Sequence, residues 1–236
     1  MREMLQHWFT AKPHLSVRQM EQLDIWRALP EAEHTAPFDH ARLVVVDVET
    51  TGLNLMTDTL ISIGAVAVIN GRIELSDSFS VVLQQRESSR KENILIHGIS
   101  GSAQREGVLP ADALLSFLDY LGKCPLVAFH VAFDETMIKR AMRQYLGFSF
   151  KHRWLDLAYV LPALHPDLMR NHRALDDWAS HFDIRNDDRH NALADALATA
   201  QLLLVAIAQA RLTRQMESYD DLRKLERAFH HSQSGI

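Results

Sequence analysis

The sequence contains a single cysteine, Cys124, among 236 residues, so an internal disulfide bond is excluded. A long apolar run is also missing. The longest, from Leu202 to Ala208, is far shorter than the roughly 20 residues that a membrane-spanning helix needs. Residues 1–14 contain no apolar segment of signal-peptide length. These features predict a cytoplasmic protein without a membrane segment.

An excess of positive charge is lacking as well. The 25 Lys and Arg residues are outnumbered by 30 Asp and Glu residues, which gives a formal net charge of −5. This balance argues against a protein that binds nucleic acid through a broad basic surface, but it leaves room for a local phosphate track or a metal-mediated contact. Three short basic clusters are candidates for such a track or for solvated surface: 139–143, 151–153 and 170–173.

The most informative stretch is an apolar segment with two carboxylates inside it. Residues Leu43 to Val48 are rich in β-branched side chains without polar alternation, the pattern of a central strand covered on both faces. Asp47 and Glu49 interrupt the pattern, and the period of two along a strand points both to one face. A divalent cation between them would relieve their repulsion. Alternatively, the strand simply ends in the polar turn Thr50–Gly52.

The remaining patterns predict an α/β domain. We expect strands over 60–69 and 72–83, joined by the hairpin signal Asn70-Gly71 and antiparallel to the first strand. Alternating helices and short strands follow, which predict parallel additions to the same sheet. The predicted helices are 111–121, 132–146, 171–182 and 191–210, and the short strands are 126–129 and 154–157.

The domain organisation predicted from these elements has three parts. An N-terminal extension over residues 1–40, partly helical, precedes a domain over residues 41–210. A charged C-terminal tail, with room for one more helix, follows over residues 211–236.

A short segment of the extension has two interpretations. Gln22-Leu23-Asp24-Ile25-Trp26 resembles the pentapeptide by which partners of the bacterial sliding clamp bind, so residues 22–26 are a candidate site for a clamp or a DNA polymerase. Alternatively, Leu23, Trp26 and Leu29 form the apolar face of a helix packed on the domain.

Two later helices each carry an aspartate in an apolar context. Asp134 falls on the core-facing stripe of Met137, Ile138 and Ala141. A carboxylate facing the core needs a partner, although a helix N-cap would also explain an aspartate near a helix start. From this helix alone, a cap and a metal ligand are both open.

The last long helix gives a similar signal. Asp195 is the one charged residue between Asn191 and Ala210, in a helix that is otherwise suited to burial, so its carboxylate also needs a partner. His190 lies about 140° away around the helix and is expected at its entrance. It is either an imidazole that approaches the same site or an ordinary surface histidine.

Taken together, the aspartates and the glutamate form a set on three separate segments. Oxygen-rich clusters of this kind suit Mg²⁺ or Mn²⁺, and a pair of such ions can hold the attacking and leaving oxygens of a phosphodiester. A histidine with a pKa near neutrality can take the proton from the attacking water. The implied chemistry is phosphoryl transfer to water.

Three motifs carry a family resemblance. The segments DVETTGL from Asp47, FHVAFD from Phe129 and HNALADA from His190 resemble the motifs of the DEDDh 3′-to-5′ exonucleases. This DnaQ-like family includes the proofreading ε subunit of bacterial DNA polymerase III. The resemblance covers residues 42–210 and implies an RNase H-like mixed five-stranded sheet with helices on both faces.

The resemblance also implies residue roles. Asp47, Glu49, Asp134 and Asp195 would hold two Mg²⁺ ions, with Mn²⁺ as a substitute, and His190 would be the general base. The segment ILIHGIS resembles the HGI element of the family. One departure is His130, which stands where the second motif often has asparagine. Expected substrate contacts come from residues in and beside the motifs: Thr51, Gly52, Leu53, Glu92, His97 and His130.

These expectations predict a metal-dependent exonuclease that hydrolyses single-stranded DNA from the 3′ end to 5′-mononucleotides, in replication proofreading or repair. A 3′-to-5′ exoribonuclease of the same family is the alternative enzyme. An adaptor that keeps the fold without catalysis and recruits a clamp or a polymerase is the alternative class.

Overall fold

The fold is known from a computed structural model that describes residues 13–234. Its five strands are β1 Arg42–Thr50, β2 Leu60–Ile69, β3 Arg72–Val82, β4 Leu126–Ala128 and β5 Trp154–Asp156. Nine helices are described: α1 Val17–Ala28, α2 Lys91–His97, α3 Gly101–Arg105, α4 Pro110–Leu121, α5 Val131–Ala141, α6 Leu157–Leu164, α7 Leu175–His181, α8 Ala192–Arg214 and α9 Tyr219–Ser234. A π-helical turn over Met142–Leu146 continues α5.

The strands form one mixed sheet in the order β3-β2-β1-β4-β5. The first three are antiparallel, whereas β4 and β5 are added parallel to β1. Asn70 and Gly71 both have positive φ angles of 52° and 72°, as a type I′ hairpin requires. The predicted mixed five-stranded sheet is therefore confirmed. The carboxyl ends of its three parallel strands meet at one edge, which we call the upper edge.

Alternation along β1 divides the core into two layers. Val44, Val46 and Val48 pack with α1, α4 and α5 on one face. Leu43 and Val45 pack with α6, α8 and α9 on the other. Helices therefore cover both faces, as predicted. Asp47 and Glu49 share the parity of Leu43 and Val45, which directs them to the face that α8 covers.

The segment around residues 22–26 is helical and is packed on the domain. Leu23 and Trp26 are buried in the same core layer as α4. The Trp26 indole donates to the Gly122 carbonyl at 2.7 Å, and Gln22 donates to Asp119 at 2.5 Å. Leu23 and Trp26 therefore face the domain, whereas Ile25 is 67% exposed. The packed-helix alternative therefore holds for Leu23 and Trp26, whereas Leu29 lies just beyond α1 and is 39% exposed. The clamp interpretation stays a prediction. Residues 1–12 of the predicted extension lie outside the described residues.

Much of the segment predicted as a charged tail is a docked helix. Tyr219, Leu222 and Leu225 of α9 are buried in the second layer. The Tyr219 hydroxyl donates to the Trp154 carbonyl at 2.9 Å, on the edge strand β5. Covering that strand protects backbone groups that would otherwise invite intermolecular pairing. The segment therefore holds the additional helix for which the prediction left room. Its alternating charges concealed, in the sequence, the apolar face by which it packs on the domain.

Several helix boundaries differ from the predictions. The helix predicted over 171–182 begins only at Leu175, because the Asp177 carboxylate accepts hydrogen bonds from the N–H groups of Arg173 and Ala174 at 2.9 and 2.8 Å. The short helices α2, α3 and α6 were not predicted, since five to eight residues carry little periodic signal.

Helix α8 is the one helix in the described range 13–234 with the length and composition of a membrane span. More than half of its apolar window is buried inside the protein. It packs against β1 and β2 and supplies residues such as Leu202 and Leu203 to the second core layer.

Gly64 on β2 allows the start of α8 to reach the sheet. It pairs directly with Asp47 of β1. A Cβ atom at this position would lie 2.2 Å from backbone atoms of Ala192 and Leu193, closer than any allowed contact. The missing side chain therefore lets the first turn of α8, which carries Asp195, approach Asp47.

Substitution of Trp26 tests the docking of α1. Trp26→Ala should lower the free energy of unfolding by about 3–5 kcal/mol, because it removes a buried aromatic side chain. Ile25→Ala is the matched control, since Ile25 is 67% exposed, and should change it by less than about 0.5 kcal/mol. Urea denaturation measures both. Equal small losses would mean that α1 is not docked.

Substitution of Gly64 tests the close approach of α8. Gly64→Ala should destabilise the protein by about 1–3 kcal/mol, because backbone rather than a flexible side chain must move. At Gly101 an added Cβ would meet mainly the side chains of Ser88 and Arg105 at 3.1–3.3 Å, so Gly101→Ala is the control. Unfolding midpoints in urea compare the two variants. A Gly64→Ala protein as stable as wild type would contradict the described packing.

Candidate metal centre

The structure brings the predicted site residues together at the upper edge of the sheet. Ligand atoms of Glu49, His190 and Asp195 all lie within 4.8 Å of one another. Asp47 is close enough to Asp134, Asp195 and Glu49 for their charges to raise its pKa. Side chains from β1, α5, α8 and the segment before α8 therefore converge on one centre.

The carboxylates of this centre are costly to ionise. Burial is the largest cause that raises the pKa of Asp47 well above its usual value, and the charges of Asp134, Asp195 and Glu49 add to it. Burial and the Asp195 charge raise the pKa of Glu49 to about 8, against the opposing effect of Arg189. Desolvation and like charge both disfavour the ionised forms. A bound cation would favour them.

Asp134 faces the centre from α5 and is only 5% exposed. Burial raises its pKa to about 8, while hydrogen bonds from the backbone N–H groups of Asp134 and Val48 oppose the rise. The helix begins at Val131 with His130 in the capping position. Asp134 is therefore not the N-cap, and the alternative explanation of its position is wrong.

Asp195 is held by partners on the segment that precedes α8. Arg189 and Asn186 donate to its two oxygens, and the His190 backbone N–H donates to Oδ2 at 3.1 Å. Arg189 also pairs with Asp176 of α7 at 2.5 Å. The buried carboxylate thus has the partner that an isolated charge would require, and the same contacts fix the segment that carries His190.

His190 lies directly before the N-cap Asn191 and outside the helix. Its backbone is left-handed, with φ of 63°, and its side chain is exposed. A nitrogen of its exposed ring lies within 4.8 Å of carboxylate oxygens of the half-buried Glu49 and the buried Asp195. The predicted placement of His190 at the helix entrance is confirmed.

The loop after β1 forms one wall of the site. Thr51 donates to the Asp58 carboxylate at 2.9 Å, and the Asn54 N–H donates to it at 2.7 Å. A Cβ on Gly52 would lie 2.6 Å from the same carboxylate, so glycine permits the close approach. Leu53, at the tip, is 86% exposed and available for contact with a ligand.

Helix α2 stands beside this loop. The Asn93 side chain donates to the Thr51 carbonyl. Glu92 is exposed in the first turn of the helix. His97 is buried, accepts a hydrogen bond from the Ile99 N–H at 3.1 Å, and contacts the Ser89 hydroxyl at 3.2 Å. The charge of His190 contributes to lowering the pKa of His97, after burial, which places this helix near the centre.

His130 occupies an exposed left-handed position, with φ of 65°, between β4 and α5. Its ring nitrogen Nε2 lies 3.2 Å from the Arg173 carbonyl. The position that often holds asparagine in the second motif thus contacts the loop before α7. His130 lies at the same edge as the carboxylates.

Three functional residues were not predicted from the sequence. Asp156 ends β5 and accepts hydrogen bonds from the N–H groups of His130 and Val131, both at 3.0 Å, which fixes the start of α5. Its signal was present, because it is a carboxylate in a predicted buried strand. Arg189 and Asn186 were harder to predict, because the sequence indicated only that the buried Asp195 carboxylate requires a hydrogen-bond partner and not which residues supply it.

The donor set fits a divalent cation. Carboxylate oxygens with one imidazole nitrogen are suitable ligands for hard ions such as Mg²⁺ and Mn²⁺. The elevated pKa values of Asp47, Glu49 and Asp134 are those of groups whose shared charge needs neutralisation. The centre could therefore hold a divalent metal ion.

Comparison with known proteins gives the family. A model described as RNase_T, exonuclease, matches residues 44–203. A DNA polymerase III PolC-type protein of Clostridium perfringens is 30% identical over 192 residues, which are 79% of this chain and 12% of that polymerase. The chain thus spans only about an eighth of this relative. The relative is a PolC-type polymerase, and the closer likeness to ε stays a prediction.

Solved structures share the fold. E. coli Exonuclease I in complex with a dT13 oligonucleotide matches with a TM-score of 0.62 at 16% identity, over 73% of this chain and 42% of that one. Exonuclease X in complex with 5′ overhanging duplex DNA matches with a TM-score of 0.57 at 20% identity, over 76% and 98%. These likenesses confirm the RNase H-like fold. By its match over residues 44–203, this chain belongs to the exonuclease family.

Proposed function

We propose that this protein is a 3′-to-5′ exonuclease that removes nucleotides from the end of single-stranded DNA and releases 5′-mononucleotides. The observation that carries the proposal is the convergence of Glu49, His190 and Asp195 within 4.8 Å, beside the half-buried Asp47 and the buried Asp134. A set of acids with one exposed imidazole suits hydrolysis of a phosphodiester more than binding alone.

In this proposal the carboxylates bind two Mg²⁺ ions, with Mn²⁺ as a substitute. The ions would supply positive charge to the phosphodiester oxygens and to the attacking water. Asp195 is positioned for this role by Arg189 and Asn186. Asp134 is positioned by the backbone of Val48.

His190 is assigned the proton transfer. Its ring is exposed, so water can reach it, and it lies beside Glu49 and Asp195. Imidazole changes protonation state near neutral pH, whereas a carboxylate bound to metal is a poorer base. His190 would therefore accept the proton of the attacking water and release it to solvent.

The terminal nucleotide is assigned to the walls around the carboxylates. Thr51, Gly52 and Leu53 lie on the loop after β1, and Glu92 and His97 lie on α2 beside it. His130 completes the set at the start of α5. The exposed Leu53 side chain offers an apolar surface to a base.

DNA is proposed as the substrate, with a role in replication or repair. The match to a PolC-type DNA polymerase over 79% of this chain supports it. Because that match covers 12% of the polymerase, attachment to a polymerase is outside the proposal. Recruitment to a clamp through residues 22–26 is also outside it, since Leu23 and Trp26 are buried.

Incubation with labelled oligonucleotides tests the polarity and the substrate. With Mg²⁺, 5′-labelled single-stranded DNA should shorten to a ladder, and 3′-labelled DNA should release its label as a mononucleotide at once. EDTA should abolish both reactions. Faster digestion of RNA of the same sequence would favour the exoribonuclease. Internal cleavage, or no cleavage of either polymer, would contradict the proposal.

Substitutions separate the proton-transfer role from the metal-binding role. His190→Ala should lower the hydrolysis rate roughly 10²- to 10⁴-fold, the range for loss of a positioned general base, while Mn²⁺ still raises the melting temperature. Asp195→Asn should weaken that stabilisation as well as the rate. The exposed His14 provides the control His14→Ala, which should match wild type. Recovery of the His190→Ala rate at saturating metal would assign His190 to metal-site assembly.

A further inference from the structure

A second concave surface lies beside Thr59, which is hydrogen-bonded to Thr51 in the loop after β1. It is a groove of about 1010 Å³ between the ends of β2 and β3, the start of α4 and the π-helical turn after α5. We call it the arginine groove. Its principal side chains are Arg86, Arg105, Gln84, Gln144 and Tyr145.

The arginine groove is joined to the metal centre by a short chain of hydrogen bonds. Thr51, two residues after Glu49, donates its N–H to the Thr59 carbonyl at 3.0 Å, and the Thr59 N–H donates to the Thr51 hydroxyl at 2.9 Å. The Thr59 hydroxyl lies 3.2 Å from Gln85, which precedes Arg86. Thr59 and Gln85 both line the groove. A chain molecule that leaves the centre past the β1 loop would therefore meet the groove.

The charge of the groove favours an anion. Arg86 and Arg105 are both exposed, and neither takes part in an ion pair within the described part of the chain. Glu87 is the one carboxylate among the described residues that line it. The basic cluster at 139–143 differs, because Lys139 pairs with Glu135 and Arg140 donates to backbone carbonyls.

The groove also presents an aromatic ring. Tyr145 is half-buried and lies in the π-helical turn, with Gln144 beside it. π-Helical turns often mark functional positions because they displace side chains from the regular helical row. Arg86 lies near the Tyr145 hydroxyl, where its charge partly opposes the rise in the pKa of that hydroxyl caused by burial. Cationic, amide and aromatic groups are thus placed together.

We propose that the arginine groove binds the strand of single-stranded nucleic acid upstream of the nucleotide being removed. Arg86 and Arg105 contact backbone phosphates, and Tyr145 stacks against a base. This combination of charge and a stacking surface is how proteins hold single strands without reading their sequence. The inference rests on the proposed function, since it assigns the 3′ end of the same strand to the metal centre.

The first test removes the two charges. Arg86→Gln/Arg105→Gln should weaken binding of a 5′-labelled oligonucleotide of about 16 nucleotides, measured by fluorescence anisotropy in EDTA. The slope of log affinity against log salt should become shallower by about 1.4, because each phosphate contact on a single strand contributes about 0.7. Hydrolysis of a short oligonucleotide, a dinucleotide, with Mg²⁺ should be unchanged, because its one phosphodiester is the scissile one and leaves no further phosphate for the groove.

The matched control changes net charge equally elsewhere. Arg18 lies on α1 and Arg72 at the β2–β3 hairpin, and both are exposed. Arg18→Gln/Arg72→Gln should keep the affinity and the salt slope of wild type. An equal loss in both double variants would mean that total charge, rather than the groove, governs binding, and would overturn the proposal.

The second test removes the ring. Tyr145→Leu should weaken binding of the long oligonucleotide roughly 5- to 150-fold, the range for loss of one stacked base, without changing the salt slope. Tyr145→Phe should retain most of the affinity. Circular dichroism identifies misfolding of either variant, and the arginine variants, which alter exposed side chains, remain decisive if Tyr145→Leu is misfolded.

Three further outcomes would overturn the groove assignment: no binding of the long oligonucleotide by wild type, unchanged binding by Arg86→Gln/Arg105→Gln, or equal displacement by polyglutamate, which would assign the groove to an acidic peptide. Hydrolysis of the short oligonucleotide by wild type alongside one of these would leave the proposed function intact. Binding through the groove without hydrolysis of any oligonucleotide would contradict the function and support the groove.

Discussion

Repulsion among buried carboxylates is the constraint on which the arrangement of this protein depends. Burial is the largest cause that raises the pKa values of Asp47, Glu49 and Asp134, and the charges of neighbouring carboxylates add to each rise, so each group is costly to ionise where it stands. The surroundings oppose that cost. Arg189 counters the rise in the pKa of Asp47 and Glu49, and backbone N–H donors counter it at Asp134. The protein thus maintains a concentration of negative charge that a divalent cation would complete.

A few features of the fold hold these carboxylates together. Parallel addition of β4 and β5 to β1 brings three strand ends to the upper edge. Gly64 lets the first turn of α8 reach the sheet beside Asp47. Asp156 fixes the start of α5, and Arg189 joins α7 to Asp195. Gly64 and Arg189 thus set the position of Asp195, and Asp156 sets that of Asp134, all from outside the centre.

The sequence predicted the centre well because its residues break strong apolar patterns. Asp47 and Asp195 stand out in a strand and a helix that otherwise want burial, and the hairpin at Asn70-Gly71 fixed the meander. What failed was information that depends on three-dimensional contact. The sequence around Trp26 was compatible with an exposed peptide as well as with a helix packed against α4, and only the structure shows that Trp26 is buried. The charged residues of α9 concealed the apolar face by which it packs on the domain. The role of Arg189 became visible only when α7 and α8 were placed together.

The raised pKa values determine whether the folded protein becomes more or less stable as pH rises. Glu49 and Asp134 have folded values of about 8, above their ordinary values of 4.5 and 3.8. The folded protein therefore binds more protons than the unfolded chain between those limits, and in EDTA its stability should fall as pH rises through that range. The most direct test of the metal centre is the melting temperature at pH 8 with Mn²⁺ and with EDTA. An ion at about 100 times its dissociation constant should raise it by about 5–10 °C, and a melting temperature that Mn²⁺ leaves unchanged would contradict the account.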